Sequence, residues 1–181
     1  MATLKEVQKS FKFLTKYGLN KKKLFLMQCT SNYPTNEEDL NLNVLKTFKK
    51  KITPNIAFSD HSLGYDAAVI STAIGAKFIE KHFTLSRNLK GPDHKASLNP
   101  KELKRYINKI RNCEKILGSY RKKPNDEELS TLKLVRKSIF AKKNISKGAK
   151  LTENNIELKR PIIGVGAEKY YNVLGKRLKI N

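Results

Sequence analysis

The stretch Ile56-Ala-Phe-Ser-Asp-His61 is a short apolar run that closes on a carboxylate and an imidazole, and Ile79-Glu-Lys-His82 repeats the arrangement. The two histidines are 21 residues apart, which suits a strand end, a loop, a helix and the next strand. If parallel strands end at both places, the imidazoles meet at the carboxyl-terminal edge of one sheet, where α/β proteins bind ligands. The sequence therefore predicts an α/β fold with a candidate site at this edge.

Helical and strand-like segments alternate around these runs. The patterns predict helices over residues 3–18, 36–48, 67–74 and 99–117, and strands over residues 24–27, 56–58 and 77–79. Such alternation indicates parallel strands joined by crossover helices. A closed (β/α)8 barrel needs eight strands and about 250 residues. Three strands would leave two unpaired sheet edges, so we expect the isolated chain to aggregate or oligomerise.

The composition changes near residue 125. Residues 123–134 are polar and predict a linker, and residues 135–181 contain short β-like pieces separated by glycine turns. We therefore expect residues 1–122 to form one domain and residues 135–181 to form a second, small, β-rich one.

The chain of 181 residues carries a formal net charge of +22. Its lysines are spread along the whole sequence without an arginine-rich, aromatic-interleaved segment, which argues against a nucleic-acid partner. Cys29 and Cys113 are the only cysteines, their spacing is not that of a metal site, and no secretory or membrane-spanning segment is visible. A cytoplasmic protein without a membrane partner is the expectation.

Two imidazoles at one sheet edge leave positions on a divalent ion open for water and substrate oxygens, as Lewis-acid catalysis requires. The alternative is that each histidine is a hydrogen-bonded residue at a strand terminus. By strand alternation, Asp60 points to the opposite side from its neighbours, whereas Glu80 lies on the side of His82. Glu80 is therefore the better candidate for touching a ligand.

Several motifs, taken together and in order, resemble the N-acetylneuraminate (sialic acid) synthases. They are CTSNYP (29–34), SDH (59–61), EKHFT (80–84), GPDHKASL (91–98), RKSI (136–139) and KRP (159–161). The resemblance implies a partial (β/α)8 TIM barrel, represented by its last three strands, followed by an SAF (antifreeze-like) domain. It also implies condensation of phosphoenolpyruvate with an N-acylated mannosamine to give a nonulosonic acid and phosphate.

The resemblance also implies roles for individual residues. His61 and His82 would hold Mn2+ or Mg2+ and, with Glu80, form the catalytic group. Ser59 would contact phosphoenolpyruvate, and Ser31 stands where some members have an asparagine for phosphate contact. Tyr33, Glu80 and Asp93 would hold the sugar, and Arg160 would reach it from the partner chain of a domain-swapped homodimer.

The same resemblance places Met1 in mid-barrel, so that about five of the eight strands would come from a complementary N-terminal half and the SAF domain would be truncated. We then expect the chain alone to be inactive. The GPDHKASL loop favours a sialic or legionaminic acid synthase over a pseudaminic acid synthase. The alternative is a noncatalytic module of this family that binds a sugar or a partner subunit.

Overall fold

The first unit is built on a parallel three-stranded sheet in the order β1-β2-β3. Its strands are β1 (Leu26–Cys29), β2 (Ile56–Asp60) and β3 (Ile79–Lys81). In this computed structural model, which describes residues 1–179, the chain divides into two compact units, one comprising Met1–Ser119 and the other beginning at Tyr120. The parallel α/β arrangement predicted for the first unit is confirmed.

Both outer strands begin two residues later than predicted, at Leu26 and Ile79 instead of residues 24 and 77, and β2 continues to Asp60. The register explains the longer β2, because Ser59 pairs with Cys29 on one side and with Glu80 on the other. Main-chain hydrogen bonds of parallel strands continue regardless of whether the side chains are polar. The apolar runs therefore mark only part of each strand.

The first unit also contains four α-helices, α1 (Leu4–Lys16), α2 (Asn43–Lys51), α3 (Asp66–Ile74) and α4 (Pro100–Leu117), of which α2 and α3 pack on the strands. The predicted helix over residues 36–48 is divided, because Glu37–Asp39 forms a separate 3-10 turn. Asn41 has a φ of 48°, a left-handed conformation that interrupts a helix.

Helix α4 begins as the sequence predicts, with Asn99 as its cap and Pro100 in the first turn. The Asn99 side chain accepts from the Glu102 amide at 3.0 Å, and the Glu102 carboxylate accepts from the Asn99 amide at 3.0 Å. This capping box satisfies amides that a helix start leaves unpaired.

The core lies between the sheet and its helices. Leu45, Phe48 and Ile56 form one buried cluster between α2 and β2. Small buried residues of α3, such as Ala67 and Ala68, bring this helix close to β2 and α4. The packing fixes the carboxyl-terminal ends of β2 and β3, and those ends carry the candidate site.

The second unit contains two antiparallel strands, β4 (Ser138–Ala141) and β5 (Ile156–Lys159), with the helices α5 (Asp126–Val135) and α6 (Tyr170–Val173). Helix α5 lies in the segment whose polar composition predicts a linker. Its start is fixed by a capping box between Asn125 and Glu128. A polar sequence with a strong cap can therefore form a helix where composition alone indicates a loop. Residues 180 and 181 of the predicted SAF domain lie outside the described residues.

Across residues 1–179, no helix combines the length and the apolar character needed to span a membrane.

Candidate active site

Two imidazoles and a phenol meet at the carboxyl-terminal edge of the sheet. His61 directly follows β2 and His82 directly follows β3, and their ring centroids are 5.4 Å apart. The hydroxyl of Tyr33, from the loop after β1, forms a short hydrogen bond with Nε2 of each histidine. The juxtaposition expected from the spacing of the two histidines is therefore observed, with Tyr33 added to it.

The hydrogen bonds determine which ring nitrogen of each histidine carries a proton. Nδ1 of His61 lies 2.7 Å from the carbonyl oxygen of Thr30. Since a carbonyl can only accept, Nδ1 carries the proton, and in the neutral ring Nε2 accepts from the Tyr33 hydroxyl. The Tyr33 oxygen then accepts from Nε2–H of His82. The loop after β1 thus orients the ring of His61.

Glu80 and Ser59 lie beside these three side chains. We call the five residues together the histidine cluster: Tyr33, Ser59, His61, Glu80 and His82. The Ser59 hydroxyl donates to Oε1 of Glu80 at 2.7 Å and lies 3.3 Å from Nε2 of His61. The strand register places Ser59 opposite Glu80, so alternation puts these side chains on the same side as the histidines. The cluster combines hydrogen-bond donors, acceptors and a carboxylate around one point.

Tyr33 keeps its proton in this setting. Desolvation, followed by the neighbouring charges of Asp93, Cys29 and Glu80, raises the pKa of Tyr33 above its ordinary value. The neutral phenol can therefore donate to one imidazole and accept from the other at neutral pH.

The remaining predicted site residues lie at different distances from the cluster. Oδ2 of Asp93 is 3.9 Å from Nδ1 of His82, so this carboxylate borders the cluster. Ser31 is exposed in the loop after β1 and, among residues 1–179, has no hydrogen bond to the cluster. Arg160 is exposed in the second unit, directly after β5.

The cluster offers two nitrogen ligands that converge on one point. In the part of the chain that the structure describes, no group of three or more His, Cys, Asp or Glu side chains could hold a metal ion. Nε2 of His61 is oriented as a ligand, because its Nδ1–H donates to a carbonyl, an arrangement typical of metal-binding histidines. Nε2 of His82 becomes a ligand when its ring carries the proton on Nδ1, which faces Asp93. The donor set therefore fits a divalent ion with several open positions.

A second polar group, which we call the aspartate network, lies on the other side of the same strand ends. Asp60 is 1% exposed. Its Oδ1 accepts from the amide of Ser62 at 2.9 Å and from the Ser62 hydroxyl at 2.6 Å. Its Oδ2 accepts from the hydroxyl of Tyr106 at 2.6 Å and lies 3.2 Å from Nζ of Lys81.

Lys81 completes the network by donating to the carbonyl of Ser62. Burial lowers the pKa of Lys81, while Asp60 opposes this effect. Burial, reinforced by the charge of Asp60, raises the pKa of Tyr106 far above its ordinary value. The phenol of Tyr106 therefore stays protonated and acts as a donor to the carboxylate.

Sequence reasoning misses several of these contacts. The carbonyl of Thr30 orients His61, and the amide of Thr35 donates to the carbonyl of His61 at 2.9 Å. Main-chain groups have no residue signature, so no sequence signal marks them. Tyr106 reaches Asp60 over 46 residues, and its position on α4 looks like an ordinary apolar one.

The third histidine, His94, lies outside the cluster. Its Nδ1 is 2.8 Å from the hydroxyl of Thr84, a buried residue. This contact joins the GPDHKASL loop to the segment that follows β3. His94 therefore anchors the loop that carries Asp93.

Comparison with known proteins places these features in a family. Residues 1–122 match the NeuB family, and residues 136–181 match the SAF domain. The N,N'-diacetyllegionaminic acid synthase of Campylobacter jejuni is 40% identical over 97% of this chain and 53% of its own length. The human N-acetylneuraminate-9-phosphate synthase is 36% identical over 99% of this chain and 49% of its own length. The chain thus spans about half the length of these curated relatives.

Solved structures show the same relationship. The N-acetylneuraminic acid synthetase of Leptospira borgpetersenii superposes with a TM-score of 0.64 at 35% identity, covering 73% of this chain and 45% of that one. A spore coat polysaccharide biosynthesis protein E from Chromobacterium violaceum shares the fold, with a TM-score of 0.80 at 23% identity over 99% of this chain and 55% of its own. The resemblance to the sialic acid synthases is confirmed: the chain belongs to the NeuB family.

Proposed function

We propose that this chain provides the sugar-binding and aldehyde-activating part of a nonulosonic acid synthase, which condenses phosphoenolpyruvate with an N-acylated mannosamine-type sugar. The observation that carries the proposal is the convergence of His61, His82 and Tyr33 at one sheet edge, with Glu80 and Ser59 beside them. Relatives whose names specify a synthase of this kind match nearly the whole chain.

In this proposal, Nε2 of His61 and Nε2 of His82 hold a divalent ion, Mn2+ or Mg2+. Such an ion acts as a Lewis acid that polarises a carbonyl oxygen. The Tyr33 hydroxyl occupies the point where both Nε2 atoms converge, and this side chain is 41% exposed, so it can turn away when a ligand enters. Released from the imidazoles, the phenol can bond a sugar hydroxyl.

The carboxylates of Glu80 and Asp93 hold the sugar by accepting hydrogen bonds from its hydroxyl groups. Glu80 is fixed by Ser59, while the exposed Asp93 is free to adjust. Ser59 also faces phosphoenolpyruvate, whose phosphate lies toward Ser31. The methylene carbon of phosphoenolpyruvate bonds to the aldehyde carbon of the sugar, water adds to the resulting cation, and the C–O bond to phosphate breaks.

The three parallel strands represent the last three strands of a (β/α)8 barrel in this proposal, and the second unit is its SAF domain. Turnover requires the other barrel strands, whether they belong to a longer protein or to a complementary chain. Arg160 would reach the sugar bound by a partner subunit in a domain-swapped homodimer. The sugar is of the sialic or legionaminic type, as the GPDHKASL loop indicates.

Phosphate release from phosphoenolpyruvate tests the proposal. The chain is co-expressed with a segment that supplies the remaining barrel strands, and N-acetylmannosamine, the legionaminic acid precursor sugar and the pseudaminic acid precursor sugar are compared in the presence of Mn2+. We expect release with one of the first two sugars and its loss in His61→Ala. Release with none of the sugars would overturn the proposal.

Calorimetric titration distinguishes a synthase from the alternative, a noncatalytic module that binds a sugar. A sugar-binding module would give Mn2+-dependent heat with N-acetylmannosamine while the complete assembly releases no phosphate. The test variant is Glu80→Gln, which keeps the size of the side chain but removes a carboxylate that accepts from the sugar. In a synthase this variant weakens sugar binding and slows phosphate release together.

A further inference from the structure

Residues of the aspartate network are direct sequence neighbours of both histidines. Asp60 and Ser62 are the residues on either side of His61, and Lys81 directly precedes His82. The same carboxylate accepts from Ser62, Lys81 and Tyr106. One buried group therefore holds the main chain at the end of β2 and at the end of β3.

The geometry connects this network to the histidine cluster through the strands themselves. Asp60 pairs with Lys81 in the register of β2 and β3, and successive side chains of a strand point to opposite sides. Any shift of Asp60 relative to Lys81 therefore moves His61 relative to His82 on the opposite side. The ammonium of Lys81 also fixes the carbonyl of Ser62, which limits rotation of the peptide that follows His61.

Tyr106 connects the network to helix α4, which lies outside the sheet. Its ring is 3% exposed and packs with Ala68 and Leu98, and its hydroxyl donates to Asp60. The amide of Leu98 donates to the carbonyl of His82 at 2.9 Å. The start of α4 and the segment before it thus hold the ends of both histidine-bearing strands.

A gain in stability alone does not explain the buried ion pair of Asp60 and Lys81. Removing two charges from water is unfavourable, and apolar side chains of similar volume often stabilise a core equally well or better. A network in which every member has a partner instead restricts geometry. Among residues 1–179, no buried side-chain nitrogen or oxygen lacks a partner.

We propose that Asp60, Lys81 and Tyr106 are positioning residues that set the separation and direction of the His61 and His82 rings toward their common ligand. The inference rests on the proposed function, since it takes that ligand to be a divalent ion. The three residues do not contact the ligand and act through the main chain of the two strands.

The test uses Tyr106→Phe in the full chain, because this change keeps the packed ring and removes one donor. Ser71→Ala is the matched control, since it removes a fully buried hydroxyl that donates to the carbonyl of Ala68 within α3. Calorimetry measures Mn2+ affinity, and nuclear magnetic resonance of the imidazole carbons and nitrogens measures ring environment without metal. We expect Tyr106→Phe to weaken Mn2+ binding about 10-fold, the lower end for outer-shell partners of metal ligands, and to shift the signals of His61 and His82.

The control should change neither measurement. Lys81→Met serves as a second variant, and we expect it to act in the same direction. Unchanged histidine signals in Tyr106→Phe would overturn the positioning role. If the unmodified chain binds no Mn2+ while these signals still shift in Tyr106→Phe and not in Ser71→Ala, the metal site proposed above fails and the positioning role stands.

Discussion

The two sides of the β2 and β3 strand ends carry similar residues in opposite settings. Each side has a tyrosine, a carboxylate and a serine, but Tyr106 is 3% exposed and Tyr33 is 41% exposed. In the aspartate network the polar groups satisfy one another and exclude solvent. In the histidine cluster, Tyr33 bonds imidazole nitrogens that a ligand can also use. Burial, more than residue type, therefore separates polar groups that satisfy one another from polar groups that remain open to a ligand.

The aspartate network and the histidine cluster should differ most in how much each contributes to the free energy of unfolding. Asp60→Asn leaves Lys81 buried without its charged partner, and we expect the free energy of unfolding to fall by about 3–5 kcal/mol. Urea unfolding followed by circular dichroism measures the change. The matched control is Glu80→Gln, an exposed carboxylate of the histidine cluster, for which we expect less than about 1 kcal/mol. Equal losses in both variants would show that the two sides do not differ energetically.

The opposite difference should appear in metal affinity. His61→Ala and His82→Ala each remove one of two converging nitrogens. We expect each to weaken Mn2+ binding at least about 100-fold, since loss of an outer-shell partner of a metal ligand already costs about 10–100-fold. His94→Ala is the control, because His94 bonds to Thr84 and lies outside the histidine cluster. Isothermal titration calorimetry provides the measurement. Equal affinity in all four proteins would exclude the proposed metal site.

A smaller effect on Mn2+ affinity is expected from removing the exposed phenol of Tyr33. In Tyr33→Phe the ion no longer competes with the hydroxyl that donates to Nε2 of His61, and one such hydrogen bond contributes about 0.5–1.5 kcal/mol net. We therefore expect Mn2+ to bind about 3- to 10-fold more tightly to Tyr33→Phe than to the unmodified chain in the same titration. Weaker binding would mean that the Tyr33 oxygen is itself a ligand.

The smallest effect concerns the helix that carries Tyr106. Asn99→Ala removes the cap of α4 and should lower the free energy of unfolding by about 1 kcal/mol. Because the aspartate network stays intact, we expect the His61 and His82 resonances to keep their positions. A shift as large as that in Tyr106→Phe would mean that any loosening of α4 disturbs the histidines, and it would remove the special role of the network.

Much of this edge could be predicted from the sequence, because strand periodicity is a local property. Alternation correctly separates Asp60 from Glu80, and the spacing of the two histidines correctly places them on neighbouring strands. The strand limits are less accurate, since pairing extends β1 and β2 into polar residues such as Gln28 and Asp60. Helix α5 is missed because its signal lies in the cap at Asn125 and not in an apolar stripe.

The contacts that define the geometry could not be predicted in the same way. Thr30 acts through its carbonyl oxygen, a group that every residue has. Tyr106 matches the apolar face of α4, and only the packing of that helix on α3 brings its hydroxyl to a carboxylate. Such contacts depend on tertiary structure, for which a single sequence gives no local pattern.

The long-range hydrogen bonds at this edge also have a consequence for how the protein folds. The bonds from Tyr106 to Asp60 and from His61 to Thr30 span 46 and 31 residues, and contacts that are distant along the chain form slowly because they close large loops. The arrangement of the two imidazoles therefore exists only after the first unit has completed its tertiary structure. An ion that bound there would bind the native state alone and would suppress local opening of the whole edge by mass action.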